Sequence, residues 1–83
     1  MIHKLKTWPE YYNRVITKQK NFEVRFNDRD FQTGDILILQ EYDAIKEEYT
    51  SREVRCHVTY VFVGNGDMGV AKGYAVLGIN VIS

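Results

Sequence analysis

Hydrophobic positions change their spacing along the chain. Trp8, Tyr12, Val15 and Ile16 recur every three or four residues, which predicts a short amphipathic helix from about Trp8 to about Thr17. Thr7 and Glu10 stand at capping-box spacing, and Pro9 falls in the first turn, where its missing N–H is harmless. Beyond Lys20 the period drops to two. Phe22, Val24 and Phe26 alternate with Asn21, Glu23, Arg25 and Asn27, which predicts a strand with its apolar side chains in the core and an unusually polar second face.

The remaining segments read as strands and turns. "IHKLKT" precedes the helix as a first strand, and "NDRD" is a turn, because Asn and Asp side chains bond their own backbone. "GDILILQEYD" is the most continuous apolar run and reads as a central strand, followed by a charged, exposed hairpin connection in "AIKEEYTSR". In "REVRCHVTYVFV", Val54, Cys56, Val58, Tyr60 and Phe62 face one way, with Glu53, Arg55, His57 and Thr59 facing the other. "GYAVLGINVI" supplies the last strand. Five or six strands with one early helix predict a mainly β (α+β) fold. The expected form is a small, closed or nearly closed barrel with the helix covering one side, since closure removes exposed edges.

At 83 residues, without a repeat or linker, the whole of 1–83 is expected to form one domain. A chain this short favours an open groove over a deep cavity. Its apolar runs are too short to span a bilayer and its first residues lack the apolar core of a secretory signal, so a cytoplasmic protein is expected. The single cysteine, Cys56, agrees with a reducing compartment. Zero net charge argues against strong nonspecific polyanion binding. The charges are nevertheless uneven: residues 1–25 carry six basic groups against two acidic, and residues 28–53 carry eight acidic against three basic. This pattern fits either a local basic surface able to meet a phosphate or an ordinary mixed surface.

Several motifs exclude chemistries. "GNGDMG" (Gly64–Gly69) has the glycine spacing of a dinucleotide-binding loop, but a strand follows where a helix is required, so it reads as a flexible loop whose N–H groups could meet an anion. Cys56 and His57 are neighbours in a strand and point apart, and with His3 they are the only soft ligands, so neither a metal nor a cofactor is expected. Ser51 lies in the charged turn and Ser83 ends the sequence, which leaves no hydrolytic triad. Of the aromatics, Trp8, Tyr12, Phe22, Phe26, Tyr60 and Phe62 sit at core periodicity, whereas Phe31 and Tyr42 flank a turn and a strand end and are expected to be exposed.

Lys20, Glu23 and Arg25, with Asp28 and Arg29 in the adjoining turn, offer donors for a phosphate or carbonyl and a carboxylate acceptor for an amino or imino N–H. The same residues could instead form a ring of ion pairs, with Glu23 held by Arg25 or Arg29 and Asp30 capping the turn.

"KQKNFEVR", Lys18 to Arg25, resembles the ASCH-domain signature GxKxxExR, with Lys20, Glu23 and Arg25 at the specified positions and Lys18 replacing the glycine. "NDRDFQTGDILIL" and "GYAVLGINVI" resemble a small bacterial and phage subgroup of that superfamily, known only as a domain of unknown function. The resemblance implies a PUA-like pseudobarrel with a cleft beside the helix and the signature strand. It also implies a module that binds RNA or a modified nucleoside, with Lys20, Glu23 and Arg25 at the signature positions; Asp28 and Arg29 of the adjoining turn join them as candidate ligand-binding residues. One branch of the superfamily is an amidohydrolase acting on acetylated cytidine through a lysine, a threonine three residues later and a distant glutamate. Here Glu23 occupies the threonine position, so Lys20 and Glu23 would be the catalytic pair of an enzymatic alternative. A third reading is a regulatory module that binds another protein through the acidic hairpin around Glu47 and Glu48.

Overall fold

The computed structural model describes residues 1–82; Ser83 lies outside them. In chain order the elements are β1 (Ile2–Thr7), α1 (Pro9–Ile16), β2 (Phe22–Phe26), β3 (Ile36–Asp43), β4 (Glu48–Val63) and β5 (Tyr74–Val81). They form one five-stranded sheet in the order β1-β3-β4-β5-β2, with β1 parallel to β3 and every other pairing antiparallel. β3 is interior, as its apolar run predicts, and β4 occupies the middle of the sheet.

The sheet curls until its two edge strands approach each other, but no ladder joins them. Two guanidinium groups span the seam instead: Arg25 Nη2 donates to the Lys6 carbonyl at 3.0 Å, and Arg29 Nη1 donates to the Lys4 carbonyl at 2.9 Å. The result is a half-barrel, more open than a closed barrel. Leu37, Leu39, Cys56, Val58 and Leu77 fill its concave side, where α1 adds Tyr12 and Val15.

α1 begins at an N-cap, Trp8, that makes no side-chain capping bond, so the expected capping box does not form. The Thr7 hydroxyl accepts a hydrogen bond from Arg25 Nη2 at 3.3 Å. Only Tyr12 and Val15 of the helical stripe are buried; Trp8 and Ile16 are exposed.

β2 faces opposite to the sequence expectation. Glu23 is buried at 3% exposure, whereas Phe22, Val24 and Phe26 are 43%, 55% and 58% exposed. The pairing with β5 decides this: Glu23 lies opposite Leu77 and Arg25 opposite Ala75, and both β5 residues are wholly buried on the core face. Alternation identifies two faces but does not say which is inside, and an internally paired carboxylate can occupy the inside.

A second correction falls in β4. Val58 pairs with Ile79 and Tyr60 with Gly78, so Thr59 is an extra residue that reverses the alternation. Val54, Cys56 and Val58 are buried as expected, but Tyr60 is 64% exposed, and Val61 takes over the packing against the core. Gly78 accommodates the bulge, because a Cβ there would lie 2.8 Å from the Thr59 hydroxyl oxygen.

Phe31, expected on the surface, is 2% exposed and packs edge-on to the His3 ring at 4.8 Å. His3 Nε2 lies 2.8 Å from Asp35 Oδ2, which also accepts the Gln32 N–H at 3.0 Å. The turn after β2 is held by Asn27, whose Oδ1 accepts the Phe31 N–H at 3.1 Å. The Gly64–Gly69 segment joins β4 to antiparallel β5, so it lacks the helix a dinucleotide loop requires. No helix of the described residues is long and apolar enough to cross a membrane.

Candidate functional site

The site begins at the C-terminal end of α1. Lys18 adopts φ 64°, the left-handed conformation that ends helices, and its N–H bonds the Val15 carbonyl at 3.0 Å. Lysine thus takes the backbone angle that a glycine at this position would accept without strain. The Lys20 N–H bonds back to the Arg14 carbonyl at 2.9 Å, which fixes the start of β2 against the helix.

Glu23 is the centre of the cluster. Its Oε1 accepts from Lys20 Nζ at 2.7 Å and its Oε2 from Arg25 Nε at 2.9 Å. Lys20 Nζ also donates to the Phe22 carbonyl at 2.7 Å. The two cations keep 17% and 25% of their side-chain surface, while the carboxylate keeps 4%. One buried anion therefore orients two partly exposed cations at an opening.

That opening is a recess of about 480 Å³ between β2 and the start of α1, bounded by Lys6, Thr7, Trp8, Tyr11, Lys20, Glu23, Val24 and Arg25. Trp8 and Tyr11 are 45% and 46% exposed. Trp8 is braced from behind by Tyr42, with ring centroids 5.7 Å apart, and Lys6 Nζ lies 4.0 Å from the centre of the Tyr42 ring. A volume of this size lies within the range of small-ligand pockets. Lys20 has committed two of its three N–H donors, and Arg25 Nη1 has no protein acceptor among the described residues.

The structure thus brings Lys20, Glu23 and Arg25 together but leaves Asp28 and Arg29 off the recess. Asp28 is exposed in the turn after β2, and Arg29 reaches the Lys4 carbonyl farther along the seam. Trp8 and Tyr11 are the functional candidates that sequence reasoning missed. Their own i, i+3 spacing, beside the Tyr12 and Val15 stripe, marks a second helical face.

A family model described as "Domain of unknown function (DUF3850)" matches residues 2–79. The chain belongs to the DUF3850 family. This DUF3850 chain is 35% identical over 60 residues to an uncharacterized 12.9 kDa protein in the GpA 3′ region of Escherichia phage P2; the match covers 72% of the chain and 53% of the phage protein. It therefore spans about half the length of that relative. The crystal structure of hypothetical protein PH0355 superimposes on the DUF3850 domain with a TM-score of 0.69, covering 99% of this chain and 100% of the other at 17% identity. At that identity the likeness concerns the fold alone, a five-stranded curled half-barrel with one short helix.

Proposed function

We propose that the recess binds a nucleobase-bearing ligand, an RNA segment or a modified nucleoside, without transforming it. The observation that carries this reading is the buried Glu23 carboxylate holding Lys20 and Arg25 at an opening whose other wall presents Trp8 and Tyr11. Aromatic faces of this kind stack on a base. The remaining donors of Lys20 and Arg25 suit a base carbonyl or a phosphate oxygen, and the unused lone pairs of Glu23 suit an amino N–H. The match of Lys20, Glu23 and Arg25 to the ASCH signature supports the same ligand class.

The amidohydrolase alternative draws on the 2.7 Å contact between Lys20 and Glu23. Both Lys20 Nζ contacts are, however, donor bonds to the protein's own acceptors, and the threonine of the enzymatic branch is absent, its position taken by Glu23. Titration of nucleosides and short RNAs across a salt series tests the binding reading. Lys20→Ala and Arg25→Ala should each weaken binding about tenfold or more, and Trp8→Ala should remove the stacking contribution. An absence of binding at low salt for every RNA and nucleoside, or affinities unchanged in both cation variants, would overturn it. Acid release from acylated nucleosides, abolished by Lys20→Ala, would favour the enzyme.

A further inference from the structure

We propose that two copies of this chain pack against each other through the outward face of β2, β5 and the second half of β4. The face follows from the two reversals of alternation described above. Strand register sets its side chains in rows: Tyr60, Gly78 and Phe22 form one, Phe62, Val76 and Val24 the next, and Tyr74 and Phe26 a third. Phe22, Phe26, Tyr60 and Tyr74 are between 43% and 64% exposed, and Val24 is 55% exposed. No side chain in these rows is charged.

The area is large enough for a specific contact. A large aromatic side chain presents roughly 150–250 Å², so the four exposed rings leave about 100 Å² each. With Val24 and the half-buried Phe62 and Val76, the face offers roughly 500–600 Å² per copy. Two such faces together bring roughly 1,000–1,200 Å² out of water before any rim is counted, which reaches the threshold for a specific interface.

A second copy fits the face better than the other occupants. A two-fold contact sets the same patch against itself, so any charge in it would meet its own sign; this patch has none. Exposed Lys18 precedes β2 and exposed Asp28 follows it, so a two-fold axis lying across the strands brings Lys18 of one copy to the strand end that carries Asp28, with Arg29 and Asp30, in the other. A nucleic-acid strand laid over the rows would find one cation at their margin, Lys20, whose Nζ lies 5.1 Å from the centre of the Phe22 ring and is already bonded to Glu23 and the Phe22 carbonyl. The bulged Thr59 side chain stands over Gly78, between Tyr60 and Phe22, and gives the patch a polar point within the apolar rows.

The face shares only Val24 with the recess, so this proposal does not depend on what the recess binds. Sedimentation equilibrium of the full chain from micromolar to submillimolar concentration tests it. The mass should rise from 9.7 kDa and level off at twice that value. Tyr60→Glu and Phe26→Glu, both outside the recess, should each weaken association at least a hundredfold by placing an unpaired charge in the contact, with far-ultraviolet circular dichroism confirming the fold. A mass of 9.7 kDa at every concentration overturns the proposal. So does a mass that climbs past two copies without levelling, or a two-copy mass that persists in both folded variants.

Discussion

Replacing Glu23 tests whether one carboxylate holds both the site and the strand in place. Glu23→Ala removes the acceptor of bonds at 2.7 and 2.9 Å and leaves Lys20 and Arg25 facing each other without the anion between them. Breaking a fully buried ion pair by deleting one partner costs about 3–5 kcal/mol. Both cations keep a share of solvent, which recovers part of that loss, so a destabilisation of about 3 kcal/mol is expected for alanine. Glu23→Gln keeps one acceptor but turns an amide N–H₂ toward the second cation, for which about 2 kcal/mol is expected. In a domain of this size each kcal/mol moves the midpoint by about 4–8 °C, so the alanine variant should melt at least ~12 °C below the parent. Urea and thermal unfolding followed by circular dichroism give both values. Adding Lys20→Met to Glu23→Gln should recover part of the loss, because the unpaired cation is then gone. A Glu23→Gln protein melting within about 2 °C of the parent would refute the reasoning, as would strictly additive effects in the double variant.

Three further outcomes follow from features away from that carboxylate. Lys18→Gly should raise stability by about 0.5–1 kcal/mol, since relief of a left-handed backbone of ~1–2 kcal/mol exceeds the entropy lost at glycine; a lower urea midpoint would contradict this. Burial alone would push the Asp35 carboxyl up, but the Gln32 N–H, His3 and the terminal ammonium outweigh it and hold it below its ordinary value of 3.8. Its stabilisation is therefore present above the unfolded pKa of about 3.9 and lost as pH falls through the lower folded value, so Asp35→Asn should flatten the fall in urea midpoint below about pH 4. Burial, and then the Glu23 charge, push the Cys56 thiol up to about 11, so iodoacetamide should label it at neutral pH only as fast as the protein unfolds, with a rate that rises in urea.

Element types were legible in the sequence because periodicity records them directly: the helix at Pro9–Ile16 and the strands around it lie where the spacing places them. Orientation was less legible. Phe22, Val24 and Phe26 carry the apolar signal of β2, yet the buried side of β5 lies opposite Glu23 and Arg25, and a pairing between strands about fifty residues apart leaves no local trace. The bulge at Thr59 was hidden for the same reason, its only local sign being a glycine in the partner strand. Within the site, Lys20, Glu23 and Arg25 were legible through the signature, whereas Arg29 was misplaced because the seam it crosses exists only once the sheet has curled. Phe31 shows the converse case: a turn neighbour can be core when a buried His3–Asp35 pair anchors the turn.

The seam between β1 and β2 gives the fold a clasp with two fingers, and one of them, Arg25, also lines the recess. Arg25 grips the Lys6 carbonyl with one nitrogen and Glu23 with another. An occupant that draws this guanidinium toward itself loosens the clasp, and one that bonds only its spare nitrogen tightens it. Hydrogen exchange along β1 would therefore register which of the two grips a bound molecule has taken.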